Sequence, residues 1–202
     1  MKVAVIGATG RAGREITTEL VRRGHKVTAI ARHPDTALNH PLVDRAAGDV
    51  ADPAALERLI AGHDAVVSAV RFVDSDPAVL VSAVQAARVR RYLVVGGAAS
   101  LEVAPGRRLI DEPGFPKEYE AEARAGSAFL DYLRGVGDLD WTFLSPAALL
   151  FEGPRLGTFR LGTDSLVANK DGSSISFADY AIAMVDEIER PQHVRQRFAV
   201  GY

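Results

Sequence analysis

Three glycines spaced three residues apart, Gly7, Gly10 and Gly13, stand between an apolar, β-branched stretch and a segment with helical periodicity. Glycine tolerates positive φ and lets backbone N–H groups approach a ligand closely. The first turn of a helix adds unpaired N–H donors and the positive end of the helix dipole. Arg11 lies in this first turn, where a bound anion would offset the repulsion between its cation and the dipole. The spacing therefore predicts a turn that binds phosphate.

Arg32 follows the second predicted strand, residues 26–31. In the dinucleotide-binding fold, an acid at this point binds the ribose 2′-hydroxyl of NAD, whereas an arginine accommodates the 2′-phosphate of NADP. The nearest acid, Asp35, lies beyond Pro34. The residue types favour NADP(H) as the cofactor. The alternative is an arginine that contacts only solvent in a loop.

Strands and helices alternate along most of the chain, which predicts an α/β fold with a three-layer, doubly wound parallel sheet of the Rossmann type. A helix over residues 117–133 places Ala121, Ala125, Ala128 and Tyr132 on one face. The predicted strands are residues 2–6, 26–31, 43–47, 64–70, 92–95, 140–144 and 197–200.

The alternation fails over residues 151–175, which are rich in glycine and turn residues and form what we call the insertion. We predict a small β-hairpin there, with residues 158–161 paired to residues 166–169. We expect the insertion to serve the substrate side or an interface of one NAD(P)-binding domain that spans residues 1–202. Residues 101–116 form a loop with proline and glycine, long enough to suggest a cover over a functional site.

The carboxyl ends of parallel strands are where open α/β sheets bind their ligands. Ser68, Ala69 and Val70 end the fourth strand, so we expect them to flank the adenosine and ribose of the cofactor. Ser100 ends the turn after the fifth strand at the same edge, and its hydroxyl could donate a hydrogen bond to an acceptor. The alternative for Ser100 is a serine that only ends a strand turn.

Composition excludes several classes of function. The 202 residues carry a net charge of −2, which gives no electrostatic footprint for nucleic acid or for an anionic membrane. The absence of cysteine excludes disulfides, iron–sulfur clusters and thiol catalysis, and it is compatible with the reducing cytoplasm, where we expect the protein to reside. The five histidines show no helical pair at ligand spacing, so we predict no metal site. No apolar run approaches the length of a membrane span.

The glycine turn, read as Gly-x-Thr-Gly-x-x-Gly, resembles that of the atypical short-chain dehydrogenases, as do Gly48-Asp49-Val50 and Leu144-Ser145-Pro146. The chain is similar above all to the biliverdin reductase B/flavin reductase and NmrA-like groups. The resemblance implies a nicotinamide near Pro146 and Ala147, and an Asp49 that accepts from the adenine amine unless it is only a turn carboxylate. The implied cofactor-binding residues are Gly7, Thr9, Gly10, Arg11, Ala12, Gly13, Arg32, Asp49, Val50, Ser68, Ala69, Val70 and Pro146.

The larger family reduces carbonyls through a Tyr-x-x-x-Lys pair, which this chain lacks. Tyr119, on the expected helix, is followed four residues later by Ala123. A flavin-, quinone- or tetrapyrrole-like acceptor needs less from the protein, because it delocalises the incoming charge and solvent can supply the proton. Ser100 and Tyr119 are the catalytic candidates, although an aromatic residue on such a helix is more often part of the core or the surface.

Two functions follow from these residues. One is an NADPH-dependent reductase that transfers hydride to such an acceptor, a small molecule. The other is a non-catalytic NADP(H)-binding sensor of the NmrA-like type. An epimerase is a third, weaker alternative, because such enzymes generally need the missing tyrosine. We expect no nucleic-acid or membrane partner, and a monomer or a homodimer.

Overall fold

The computed structural model describes residues 1–202. Its main sheet has eight strands, and the other four strands form two small sheets of two strands each. The strands are β1 (Lys2–Ile6), β2 (Lys26–Ala31), β3 (Val43–Ala47), β4 (Ala65–Ser68), β5 (Arg91–Val95), β6 (Glu102–Ala104), β7 (Arg107–Arg108), β8 (Asp140–Ser145), β9 (Leu149–Phe151), β10 (Arg160–Gly162), β11 (Ser174–Ser176) and β12 (Gln196–Gly201).

The strand order in the main sheet is β10-β12-β8-β5-β4-β1-β2-β3. All neighbours run parallel except β10 and β12, which run antiparallel. The order reverses at β1, because β2 lies on one side of it and β4 on the other. Such a reversal opens a crevice at the carboxyl ends of the strands, where ligands bind in doubly wound folds. The predicted fold class is confirmed.

Five helices cover the two faces of the sheet: α1 (Arg11–Arg22), α2 (Pro53–Ile60), α3 (Pro77–Ala86), α4 (Lys117–Arg134) and α5 (Phe177–Glu189). On one face, α1 and α5 bury Ile16, Leu20 and Tyr180 against β1. On the other face, α2, α3 and α4 bury Leu56 and Phe129 in a second cluster. Parallel strands covered on both faces are buried along their whole length, as β4 is. No helix combines the length and the apolar character that crossing a membrane requires.

The face of α4 that the sequence pattern singled out is not the buried one. Ala121 and Ala128 are exposed, and 41% of Tyr132 is accessible to solvent. Phe129 and Leu133 are buried instead. Larger apolar side chains remove more area from water than alanines do, and they therefore decide how the helix is rotated.

The predicted hairpin between residues 158–161 and 166–169 is wrong in its pairing. β10 lies antiparallel to β12 at the edge of the main sheet, where it satisfies backbone groups that would otherwise stay unpaired. Val167 is buried in a small cluster with Leu101 and Ala199, and its segment forms no strand pairing with β10. A second small sheet joins β9 and β11 in parallel.

Two buried carboxylates fasten the insertion to the helices. Glu19 of α1 accepts hydrogen bonds from Arg155 Nε at 2.9 Å and Nη2 at 2.8 Å. Asp179 of α5 accepts from the backbone N–H groups of Leu156 and Gly157, both at 2.8 Å. The insertion is therefore held on the layer that contains the helix of the glycine turn.

Candidate functional site

The glycine turn joins β1 to α1 in a space that no other residue fits. Gly7 has a φ of +81°, and a Cβ on it would lie 2.5 Å from the carbonyl oxygen of Ala69. A Cβ on Gly13 would lie 2.2 Å from the carbonyl oxygen of Gly7. The N–H groups of residues 11–13 have no acceptor in the protein. A backbone that a ligand can approach closely, together with free N–H donors at the start of a helix, suits the phosphates of a dinucleotide.

A cleft of about 240 Å³, which we call the cofactor cleft, lies above the turn at the point where the strand order reverses. Its walls come from the carboxyl ends of β1, β2, β3 and β4. The predicted cofactor residues that line it are Gly7, Thr9, Gly10, Arg32, Asp49, Val50, Ala69 and Val70. The structure thus brings most of the predicted set together.

Arg32 and Asp49 stand at the outer end of this cleft. Arg32 is exposed and forms no salt bridge, so its guanidinium can hold an anion such as a 2′-phosphate. One oxygen of Asp49 accepts from the N–H of Ala51 at 3.0 Å, as a turn carboxylate does. The other oxygen makes no hydrogen bond and can accept from an amine, so both interpretations of Asp49 agree with the geometry.

Five residues of the predicted cofactor set do not line the cleft: Arg11, Ala12, Gly13, Ser68 and Pro146. The Arg11 guanidinium lies 5.2 Å from the centre of the Phe177 ring, on the side of α5. Ser68 is 2% exposed, and Pro146 is buried. Residues 11–13 contribute free backbone N–H groups at the start of α1 and do not line the cleft.

A second, larger cavity of about 590 Å³ lies near the cofactor cleft, and we call it the acceptor cavity. Arg71 lines the cleft, and the next residue, Phe72, lines the cavity. The other walls are residues 96–100 after β5, one side of α4, and residues of the 101–116 loop. The loop therefore covers a cavity, whereas no residue of the insertion lines it.

The floor of the acceptor cavity is a fixed aromatic side chain. The Phe72 ring stacks on Phe143 with centroids 5.9 Å apart, and it meets the edge of Phe129 at 5.3 Å. A Cβ on Gly126 of α4 would lie 2.8 Å from the Phe72 ring, so only glycine permits this contact. Glu122 accepts from the N–H of Phe72 at 2.8 Å. A flat, immobile, apolar surface of this kind suits a planar conjugated ring.

Ser100 and Tyr119, the two catalytic candidates, both line the acceptor cavity. The Ser100 hydroxyl accepts a hydrogen bond from Arg197 at 3.2 Å, so its own proton is free to be donated elsewhere. Tyr119 is 62% exposed, and Ala123 lines the same wall. No lysine lines the cavity, so the carbonyl-reducing pair of the larger family has no counterpart in space either.

Sequence reasoning missed most of the acceptor cavity. Glu122 and Gly126 are single positions on a long helix. Arg71 and Phe72 both follow β4, and no sequence pattern shows which of them faces a substrate. A glycine inside a helix is the signal that could have indicated a close contact at residue 126. Arg197 gave no signal, because its partners Asp164 and Ser100 lie far from it in the sequence.

The comparison with known families decides the class of the site. The NAD(P)H-binding family matches residues 7–191 of the chain. The chain belongs to this NAD(P)H-binding family. It is also 42% identical to the uncharacterised protein YwnB of Bacillus subtilis, over 99% of this chain and 98% of that protein.

Solved structures of similar proteins cover the chain almost completely. A candidate exported protein from Burkholderia pseudomallei is 44% identical with a TM-score of 0.90, and covers 100% of both chains. A candidate epimerase from Bacteroides thetaiotaomicron is 38% identical with a TM-score of 0.94, over 100% of this chain and 96% of that one. A candidate NADH-flavin reductase from Streptococcus pneumoniae is 36% identical with a TM-score of 0.84, over 100% of this chain and 99% of that one.

Membership in the NAD(P)H-binding family confirms the resemblance to the atypical short-chain dehydrogenases. It also fits what the glycine turn offers a dinucleotide: free N–H donors and a backbone that a Cβ would obstruct. The family thus accounts for the cofactor cleft, and it leaves the occupant of the acceptor cavity open.

Proposed function

We propose that the protein is an NADPH-dependent reductase that transfers hydride to a flavin-, quinone- or tetrapyrrole-like acceptor. The observation that carries the proposal is the junction of the two cavities. The consecutive residues Arg71 and Phe72 line the cofactor cleft and the acceptor cavity respectively, after β4 at the carboxyl edge of the sheet, and we call this point the junction. A cofactor and an acceptor bound on either side of this junction are adjacent, and hydride transfer depends chiefly on such positioning.

In this proposal the glycine turn binds the phosphates of the cofactor and Arg32 binds the 2′-phosphate. When bound, NADPH supplies the hydride. Arg32 is suited to its role because no carboxylate of the protein neutralises it, and a charge-assisted hydrogen bond contributes about 1.5–3 kcal/mol. Arg32 thus favours NADPH over NADH.

The acceptor cavity suits a conjugated ring. Phe72 provides an apolar surface, and Ser100 has a hydroxyl proton available for an oxygen or nitrogen of the acceptor. The acceptor gains a hydride from the cofactor and a proton from solvent, so the protein needs no strong acid. The name of the Streptococcus pneumoniae relative, an NADH-flavin reductase, is consistent with this class of acceptor.

The test mixes the protein with NADPH and a panel of FMN, riboflavin, menadione and biliverdin, and follows the absorbance of NADPH. We expect oxidation well above the protein-free rate for at least one acceptor. A bulky residue at Gly97, where a Cβ meets nothing within 4 Å, should fill the cavity without disturbing the fold. Gly97→Leu should therefore reduce turnover. Gly137→Leu, which is equally unobstructed but remote from the cavity, should not. No oxidation with any acceptor would reject the proposal.

A second candidate function is an NADP(H)-binding sensor without turnover. The observation that favours it is the wall of α4, where Tyr119 has Ala123 rather than lysine beside it. Equal, tight binding of NADP⁺ and NADPH by a protein that oxidises no NADPH would support the sensor. The same wall counts against an epimerase, the class named for the Bacteroides thetaiotaomicron relative.

The proposal also includes a cytoplasmic location, a monomer or homodimer, and a small molecule as the only partner. The lack of cysteine fits a reducing compartment. The name of the Burkholderia pseudomallei relative, an exported protein, points to the opposite location. Fractionation of cells that express the protein decides between the two.

A further inference from the structure

A polar cavity of about 430 Å³ adjoins the acceptor cavity, and its lining has no apolar residue. Ser100 and Ser127 line both cavities and form the boundary between them. Behind this boundary stands Arg197 of β12, with 5% of its side chain exposed. A guanidinium buried to this degree requires partners for its charge and its donors.

Arg197 has two such partners. Its Nε donates to Asp164 Oδ1 at 2.9 Å, and its Nη2 donates to the same oxygen. Its Nη1 donates to Ser100 Oγ at 3.2 Å. The other arginines of the polar cavity are engaged elsewhere: Arg108 pairs with Asp111, and the remaining one pairs with a carboxylate of its own helix. Only Arg197 reaches the serine.

Asp164 is held in register with the turn that carries Ser100. Its carbonyl oxygen accepts from the N–H of Glu102 at 2.8 Å, and the N–H of Leu166 donates back to the carbonyl of Glu102 at 2.9 Å. Two backbone hydrogen bonds thus tie the segment around Asp164 to β6, two residues after Ser100. The carboxylate, the guanidinium and the hydroxyl form one connected unit.

The chemistry of arginine determines what this unit does to the serine. A guanidinium has only donors, so the Ser100 oxygen must accept from it and the Ser100 proton cannot point toward it. The hydroxyl proton is left for another acceptor, and a ligand in the acceptor cavity, which Ser100 lines, can provide one. Donation from a cation into the hydroxyl oxygen also strengthens the hydroxyl as a donor.

We propose that Arg197, held by Asp164, is a positioning residue that orients Ser100 to donate a hydrogen bond to the bound acceptor. The inference rests on the proposed function, in which Ser100 contacts the acceptor. Arg197, on strand β12, then contributes to the reaction without touching the acceptor. It acts only by orienting Ser100.

The test is a double-mutant cycle between Arg197→Met and Ser100→Ala, with FMN as the probe. The measured quantities are kcat with NADPH, and the FMN dissociation constant in the presence of NADP⁺, from quenching of flavin fluorescence. Arg197→Met should lower kcat about 10- to 100-fold when Ser100 is present, as loss of orientation does. In the Ser100→Ala background the same change should alter kcat less than about twofold, because the group it orients is already gone.

Further variants separate positioning from folding. Arg197→Lys keeps a cation that can donate to the serine, and it should restore part of kcat. Arg195→Met removes an exposed arginine near the start of the same strand, where it donates to the Gly137 carbonyl, and should change neither quantity. If Arg197→Met fails to fold, Asp164→Asn weakens the hold on Arg197 and takes its place in the cycle.

Equal losses of kcat in the two backgrounds would overturn the inference and leave Arg197 a structural residue. Absence of turnover in the unmodified protein with every acceptor of the panel would instead reject the reductase. In that case the cycle is measured on FMN binding alone. Coupling between Arg197 and Ser100 in the dissociation constant would then support positioning, and independent effects, or no FMN binding, would overturn it.

Discussion

Replacing Gly7 by alanine tests whether the glycine turn is set by close contact or only by backbone conformation. Gly7 and Gly24 have nearly the same φ, +81° and +80°. Alanine at either position adopts a left-handed conformation that costs about 1–2 kcal/mol. At Gly24 the new Cβ meets nothing within 4 Å, whereas at Gly7 it would lie 2.5 Å from the carbonyl oxygen of Ala69.

The contact at Gly7 cannot be relieved by a small movement, because both sides of it are fixed. The N–H of Gly7 donates to the Ile30 carbonyl at 2.9 Å, and the N–H of Ala69 donates to the Ile6 carbonyl at 2.8 Å. Overpacking of this kind adds about 1–3 kcal/mol. We therefore expect Gly7→Ala to lower the free energy of unfolding by about 2–5 kcal/mol, and Gly24→Ala by about 1–2 kcal/mol.

Urea unfolding measures both changes, and a fluorescence titration measures NADPH binding under native conditions. Gly7→Ala should raise the NADPH dissociation constant at least about tenfold, since small displacements of binding groups have large effects. Gly24→Ala should leave it unchanged. Equal destabilisation by the two substitutions, or wild-type NADPH binding by Gly7→Ala, would refute the reasoning.

Three further outcomes are expected. Arg32→Ala should raise the dissociation constant of NADPH about tenfold or more and leave that of NADH unchanged. The control Arg45→Ala, at an exposed position on β3, should change neither dissociation constant. An equal loss of affinity for both cofactors in Arg32→Ala would contradict the role of Arg32. Burial raises the pKa of Glu19, but hydrogen bonds and charge from Arg155 and a second arginine outweigh it and hold the pKa below its ordinary 4.5. The stability that this carboxylate contributes is therefore complete above about pH 4.5 and lost as the pH falls through the lowered value; Glu19→Gln should flatten this acid limb in urea titrations, and an unchanged limb would argue against the ion pair. Asp179→Ala should lower the free energy of unfolding by about 3 kcal/mol, because the N–H groups of Leu156 and Gly157 lose their buried acceptor. A loss below about 1 kcal/mol in urea unfolding would show that solvent replaces the carboxylate.

The sequence predicted well those parts of the fold whose structure depends on contacts between residues close together in the chain. The residues Asp52-Pro53 and Asp76-Pro77 predict helix starts, and the structure has α2 and α3 beginning there. Asp52 accepts from the N–H three residues on at 2.9 Å, and Asp76 from the N–H two residues on at 2.8 Å. A cap is formed within one turn, so the local sequence contains all of its atoms.

The insertion is a part of the fold that local sequence does not predict. Residues 158–161 and 166–169 have the composition of a hairpin, but each finds a better partner elsewhere. β10 pairs with β12, and Leu166 pairs with Glu102. These contacts join segments far apart in the chain, and no pattern within the insertion identifies the strand edge that competes for it.

The candidate site divides in the same way. The cofactor cleft was predictable because its residues stand at strand ends, where topology alone brings them together. The acceptor cavity was not, because it depends on the rotation of α4, which Phe129 and Leu133 set. The role of Arg197 depends on Asp164, a residue of the insertion. Such a unit exists only after distant segments have packed.

α1 and α5 form one helical layer of the sheet but are far apart in the chain, and this affects how the protein folds during translation. β1 and α1, which carry the phosphate-binding turn, leave the ribosome long before α5, yet α5 covers the apolar face of α1. Through most of translation, Ile16 and Leu20 lack the partners that bury them in the finished protein. We expect a nascent chain that ends before residue 177 to expose this face to chaperones, and NAD(P)H to stabilise the protein only once the final helix has emerged.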